Sequence, residues 1–541
     1  MSKKTKSYRR VSPRTWWILA ILAFALTLTI RIRLLGIPLE RDEGEYAYAG
    51  QLMLQGIPPY KLAYNMKFPG VYAAYAAIMS IFGQTIWGIH WGLLLVNAAA
   101  VVLIFFLGRR LLSATAGIVA AASYAVLSLS PSVLGLAGHA TNFVVLPMLG
   151  GVSLLLNESN RRASLRLFAS GFLFGLGIVM KQPAIFFALF GAIYIIAKIV
   201  RARLGPGKLV LHSLIFAAGV ILPFGMTCLW LLSAGVFSHF WFWTVQYAFQ
   251  YASGTPLSKG AQDFFDIAKD VIAASWLLWV LAGIGLFAGI YYRRTRPATV
   301  FILGFLFFSG CALCPGLHFR PHYFILVLPA AALLIGIAID QLSEVAIMHK
   351  TAAARFLPLF LMGLALGLPL LQGRRVFFQA SPLEVCRIIY GANPFPESIR
   401  IAEYLRDHTD PLDTIAVLGS EPQIYFYSHR HSATGYIYTY GLVERQPYAH
   451  RMQQEMIDEI SRANPKYIAF VSLDASWLKA PGSEDLIVDW FKDYASQNYR
   501  LAGLINLVTP TQTDYYFDEM LNSPPPRLVR WIVLYQRKSQ G

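Results

Sequence analysis

The chain has 541 residues, of which 56% are hydrophobic and 14% charged, with a mean hydropathy of +0.50. Soluble domains carry about 25% charged residues, so there is too little polar surface here to cover a large water-soluble body. The formal charge of +17 sits in small Lys/Arg clumps between apolar runs, which fits the positive-inside bias of membrane-protein loops and not a basic face for nucleic acid.

The amino-terminal basic residues Lys3, Lys4, Lys6, Arg9, Arg10 and Arg14 precede an apolar run of membrane-spanning length. No small-residue cleavage site follows, so the run is read as an uncleaved first membrane helix. Further runs long enough to span give helices over 16–36, 86–108, 113–133, 141–156, 166–182, 183–199, 209–234, 271–292, 298–314, 322–340 and 355–373, eleven in all. With the N-terminus (1–15) in the cytoplasm, the clumps Arg109-Arg110, Arg161/Arg162/Arg166, Lys198/Arg201/Arg203/Lys208, Arg293/Arg294/Arg296 and Lys350/Arg355 all fall inside. Counting 70–83 as a span would turn these loops outward. Gly70–Gly83, with Tyr72 and Tyr75, is therefore expected to lie in the interface.

The outside face then holds 37–85, a turn around Gly138–Asn142, the aromatic stretch Val236–Asp270, and Cys314–His322, with Lys181 just before Pro183. Beyond 373 the long apolar runs stop. Residues 374–541 make a domain-sized extracytoplasmic block. Its helix Pro396–Thr409, strands Thr414–Leu418 and Tyr467–Val471, helix Gln453–Ala463 and last strand Trp531–Tyr535 suggest a small α/β domain. The expected fold is thus a polytopic α-helical membrane protein with a membrane region over 16–373 and a C-terminal α/β domain over 374–541. The four cysteines, Cys228, Cys311, Cys314 and Cys386, imply no disulfide framework, and the Cys311–Cys314 spacing lacks the surroundings of a redox motif.

Arg41-Asp42-Glu43-Gly44-Glu45-Tyr46 follows the first span. A solvated loop would explain its charges. Tyr46, Ala47, Ala49, Leu52 and Met53, however, give an amphipathic helix along the membrane surface, which would hold Asp42 and Glu43 at the interface. Burial and nearby cations tune such carboxylates for use as bases. Lys67, in Asn65-Met66-Lys67-Phe68-Pro69-Gly70, stands where Pro69 would start the interfacial helix. It is either a snorkelling lysine or a ligand for an anionic headgroup. His318-Phe319-Arg320-Pro321-His322-Tyr323 is a second polar knot, read as phosphate recognition, with a structural cap and a metal site as alternatives. Pro321 argues against one helix carrying both histidines. Carboxylates and cations beside lipid suit a substrate with a lipid tail and a phosphate leaving group. A transporter would carry ionisable residues deep in its spans, and here the mid-span regions are nearly charge-free, with His212 and Asp340 near inside ends.

These motifs resemble the GT-C glycosyltransferases, in particular the branch related to protein O-mannosyltransferases and the lipid A aminoarabinose transferase. The resemblance rests on Asp42-Glu43 with Tyr46, on Lys67-Phe68-Pro69 (similar to a Lys-Pro-Pro stretch), on Arg320-Pro321-His322-Tyr323 (similar to an Arg-x-His-Tyr motif), and on Gly419-Ser420-Glu421-Pro422 with Tyr425 and Tyr427. It implies inverting transfer of a sugar from a polyprenyl-phosphate-sugar donor to an extracytoplasmic glycan, lipid or protein, in the inner (plasma) membrane. Asp42 would be the general base and Glu43 its support, while Lys67, Arg320, His322 and Lys181 would hold the donor phosphate. Where many relatives carry an acid in the second outside turn, this chain has His139 and Asn142, a possible second-loop site. No metal ligand set is assigned; a divalent metal is left open as the one cofactor. Transfer to protein Ser/Thr is the runner-up reading, and a lipid-linked sugar carrier or flippase is the alternative of another class.

Overall fold

The computed structural model describes residues 12–157, 162–348, 352–509, 511–522 and 527–538. Lys3, Lys4, Lys6, Arg9, Arg10, Arg161 and Lys350 lie outside the described residues. The chain divides into two compact units, both assembled from separated stretches.

The first unit comprises Met1–Leu34, Trp91–Thr227 and Gly254–Gln379, and it is helical. It begins with α1 (Pro13–Arg33) and takes in most of α4 (Ile86–Leu111), between which lie α2 (Arg41–Leu54) and α3 (Gly70–Phe82) of the second unit. The helix Leu328–Met348 is its most enclosed span. Small residues allow that enclosure: a Cβ on Gly336 would lie 2.5 Å from the Ala116 carbonyl oxygen, and one on Gly285 would strike the Leu334 carbonyl oxygen. Close backbone approach of this kind replaces the hydrophobic drive that lipid removes.

Seven described helices are long and apolar enough to cross a membrane, or eight if a bent pair counts as one span. Of the eleven expected spans, these seven or eight pass that test on length and composition. The helices over Ala114–Leu127, Ala140–Leu155 and Arg296–Cys311 are apolar but have 14, 16 and 16 residues, below the ~17–25 that span unaided. The expected 271–292 span is instead Trp276–Tyr291, preceded by the amphipathic helix Leu257–Ala273 at a 100° bend. The expected 322–340 span starts later and runs on to Met348, so Asp340 lies within it; Asp340 accepts a 2.7 Å hydrogen bond from Ser113, whose hydroxyl also caps the helix Ala114–Leu127.

The second unit comprises Leu35–His90, Cys228–Ser253 and Ala380–Gly541. Its sheet runs β2 (His431–Ser432), β1 (Thr414–Leu418), β3 (Tyr467–Ser472), β6 (Trp531–Arg537), β4 (Tyr499–Thr509), β5 (Gln512–Phe517). The pairs β1–β2 and β1–β3 are parallel; the others are antiparallel. The strands expected at 414–418, 467–471 and 531–535 are present, as are helices Phe395–Asp407 and Ala449–Ala463. The core of this unit joins sheet residues Leu418 and Ile468 to Tyr64, Trp243 and Tyr247 from the other two stretches.

Candidate active site

The site in the second unit is built on the first turn of α2. Glu40 is its N-cap: the Glu40 carboxylate accepts from the Glu43 amide at 2.9 Å, and the Glu43 carboxylate accepts from the Glu40 amide at 3.4 Å. This reciprocal capping satisfies amides that the helix start leaves open. Asp42 and Glu43 sit in the first turn, where the positive end of the helix dipole favours negative charge.

From there the three acids diverge. Glu43 is buried and faces His90, whose Nε2 lies 3.1 Å from Glu43 Oε1 while Nδ1 lies 2.7 Å from the Leu35 carbonyl oxygen. Asp42 and Glu45 are three apart and share a face of the helix. Lys67 bridges them, its ammonium donating to Asp42 Oδ1 at 2.7 Å and to Glu45 Oε2 at 2.8 Å. Glu45 is fully enclosed, and its other oxygen accepts the Tyr72 hydroxyl at 2.5 Å. The Asp42 side chain keeps 23% of its surface exposed, and Tyr438 donates to it at 3.1 Å. The rings of Tyr46 and Tyr438 stand 4.7 and 5.5 Å from the ammonium, a cation–π setting that favours its charge. Tyr60 donates to the Lys67 carbonyl oxygen at 2.6 Å and so fixes the backbone that carries the lysine.

Burial pushes the Glu45 carboxyl up from its ordinary value; Lys67 pulls against that and Asp42 adds to it. Burial also opposes the Lys67 charge, but Asp42 and Glu45 outweigh it and hold the ammonium well above the usual lysine range. Donors on both Glu45 oxygens match an ionised carboxylate.

α2 itself is buried from Glu43 to Leu52, more fully than an amphipathic surface helix would be. Gly44 allows this, because a Cβ there would lie 2.7 Å from the Gln423 backbone nitrogen. Beside it Arg41 donates to the Ser420 carbonyl oxygen and, at 2.9 Å, to buried Glu421 Oε1. Ser476 donates to the other Glu421 oxygen at 2.6 Å. The Gly419–Pro422 motif thus anchors the start of α2.

The remaining candidates belong to the first unit. His139 is the N-cap residue of Ala140–Leu155, and its ring stacks on His322 with centroids 4.0 Å apart and planes 8° off parallel. Imidazoles are ordinary zinc ligands, and such a pair would supply two of the three or four protein ligands that zinc sites use. Asn142 donates to the Ala137 carbonyl oxygen at 3.0 Å. The Lys181 ammonium lies 3.8 Å from the centre of the Tyr323 ring. Arg320 is exposed at the end of a distorted turn in which Gly316, Leu317 and Phe319 all have positive φ. Short 3₁₀ turns at Pro315–Leu317 and Pro321–Leu326 replace any helix through both His318 and His322.

Sequence reasoning singled out Asp42, Glu43 and Lys67 but assigned no role to Glu45, Tyr438 or His90, and it expected Tyr72 at the headgroup level, whereas Tyr72 is buried against Glu45. For Glu45 the signal was there, since it lies three residues beyond Asp42 on a helical stretch. Tyr438 had none, being 396 residues from its partner.

Residues 67–227 match the sequence model of the dolichyl-phosphate-mannose-protein mannosyltransferase family. The fold is similar to that of ArnT from Cupriavidus metallidurans bound to undecaprenyl phosphate, with 15% identity, a TM-score of 0.60 and coverage of 96% of this chain and 98% of that one. It is also similar to the archaeal oligosaccharyltransferase AglB from Archaeoglobus fulgidus in complex with an inhibitory peptide and a dolichol-phosphate, with 12% identity, a TM-score of 0.51 and coverage of 97% and 76%. No curated protein sequence matches at a significant level. The chain is therefore a multi-pass membrane protein with the GT-C glycosyltransferase fold. Through residues 67–227 it is related to the mannosyltransferase family just described, a match that starts at Lys67 and leaves out Asp42 and Arg320.

Proposed function

We propose that the protein is an inverting glycosyltransferase that moves a sugar from a polyprenyl-phosphate-sugar donor to an acceptor hydroxyl outside the cytoplasm, on a glycan, a lipid or a protein. The observation that carries this is the partly exposed Asp42 carboxylate, fixed at a helix start and held 2.7 Å from the Lys67 ammonium, on a GT-C fold. Asp42 takes the acceptor proton as the acceptor oxygen bonds to the anomeric carbon. The bond from that carbon to the phosphate oxygen breaks, and the lipid phosphate leaves with the electron pair. Fixed cations stabilise the charge that develops on the leaving oxygen, and Lys67 supplies one. Glu43 supports the base by capping the helix that carries it. For Arg320, His322 and Lys181 we keep the phosphate role that the resemblance implies, and for His139 and Asn142 a place in the second outside turn.

The eleven expected spans each coincide with a helix, and the basic clumps all fall on one side of that arrangement. This supports eleven crossings in an inner membrane, with the N-terminus cytoplasmic and residues 374–541 outside. The family match at 67–227 favours a second reading of the acceptor, transfer of mannose to protein Ser/Thr.

The test is complementation of a deletion strain, read by mass spectrometry of cell-envelope glycolipids, glycans and glycoproteins. Wild-type protein restores the missing product. Asp42→Asn is expected to lower transfer by about 10²–10⁴-fold, the usual range for a general base, with donor binding retained. Wild-type transfer rates in that variant would remove Asp42 as the base. Arg320→Ala is expected to weaken donor binding; unchanged donor affinity would take Arg320 out of the phosphate site.

A further inference from the structure

The geometry points to Glu45 as a positioning residue that sets how much of the Lys67 charge a donor phosphate meets, and so how readily the spent lipid phosphate leaves. The inference rests on the reading of Lys67 as a phosphate ligand.

Lys67 does not wait for the phosphate as an unmatched cation. Its ammonium already donates to two carboxylates, Asp42 at 2.7 Å and Glu45 at 2.8 Å. With both acids ionised the cluster carries one net negative charge. The two acids differ in access. Asp42 keeps part of its surface open, whereas Glu45 is fully enclosed and its remaining oxygen is taken by Tyr72. Substrate can therefore compete with Asp42 for the ammonium, while the hold of Glu45 persists throughout the cycle. A buried carboxylate this close also repels an incoming phosphate through a medium of low effective dielectric. Tyr72 moderates the effect: by donating to Glu45 it draws part of the carboxylate's charge away from Lys67. An enzyme whose leaving group is an anion gains turnover from a phosphate site that is not too tight, since binding donor and product equally well slows release without helping the chemical step.

The experiment is equilibrium binding of undecaprenyl phosphate to the full-length protein in lipid nanodiscs, paired with the donor dependence of turnover. Glu45→Gln keeps the shape and removes the charge. It is expected to bind the lipid phosphate on the order of tenfold more tightly, as loss of one nearby charge implies, with lower donor KM and lower kcat. Tyr72→Phe leaves Glu45 its full charge and is expected to weaken binding several-fold. Opposite signs from two variants of one contact are not what a merely structural role produces. Unchanged or weaker binding by Glu45→Gln, or both variants shifting the same way, would overturn the inference. Should Glu45→Gln fail to fold, the sign of the Tyr72→Phe effect decides. Wild-type protein that does not bind the lipid phosphate overturns the functional reading, and this inference with it.

Discussion

Two cations flank the start of α2, and they do different work. Arg41 is locked between the rings of Phe395 and Tyr440 and paired with Glu421, which has no exposed surface. Lys67 is shared between one closed and one partly open carboxylate. Removing one member of a buried pair strands the other charge at a cost of about 3–5 kcal/mol. Glu421→Ala is therefore expected to lower the thermal midpoint of the purified protein clearly, while Asp42→Asn, at an open position, shifts it little. Differential scanning fluorimetry of both variants checks this. The sequence made Asp42 and Lys67 visible because charges are scarce near apolar runs. It could not show that they touch, because their 25-residue separation corresponds to no helical or strand period. Glu45 was legible in principle from its three-residue spacing to Asp42, which puts the two on one helix face.

At the scale of elements, α2 contains Gly44 and Gly50, although glycine costs a helix interior about 1 kcal/mol each. Both mark close approach: a Cβ on Gly44 would meet the Gln423 backbone, and one on Gly50 the α3 backbone at Ala76. Gly44→Ala is expected to push the first turn of α2 away from Gln423 and cost about 1–3 kcal/mol. The displacement also moves Asp42 relative to Lys67. Transfer activity should therefore fall well below what partial unfolding accounts for, as activity normalised to the folded fraction will reveal. Apolar length and β-branched runs made the membrane helices and β1, β3 and β6 readable. The sequence reading missed β4 because it does not alternate cleanly. Gly503 and Asn506 interrupt its pattern, the register shifts between Leu501 and Gly503, and Phe517 packs where a Gly503 side chain would be. A glycine of this sort reads as a turn until the partner strand is known.

For the whole molecule, the side of the membrane occupied by residues 380–541 decides where the proposed chemistry takes place, because Asp42 shares a compact unit with them. Protease added to intact spheroplasts is expected to remove an epitope placed at the C-terminus and to spare one placed at the N-terminus. The reverse pattern would put Asp42 in the cytoplasm and defeat the proposal. The expectation rests on the Lys/Arg clumps, which positive-inside bias would keep in the cytoplasm. The interleaving of the units was not readable, since no periodicity reports which distant stretches share a core.

That interleaving also sets the order of assembly during synthesis. Gly44 leaves the ribosome 379 residues before Gln423, the residue it must pack against. At roughly 5–20 residues per second, the acids and the lysine of residues 41–67 await their cover for about 20–75 s. Over that interval the nascent chain carries these charges without the distal residues that bury them. A truncated product ending before the sheet would never bury them. The ability to perform the proposed reaction therefore arises late, once the distal third of the polypeptide has been made and folded back onto the proximal segment.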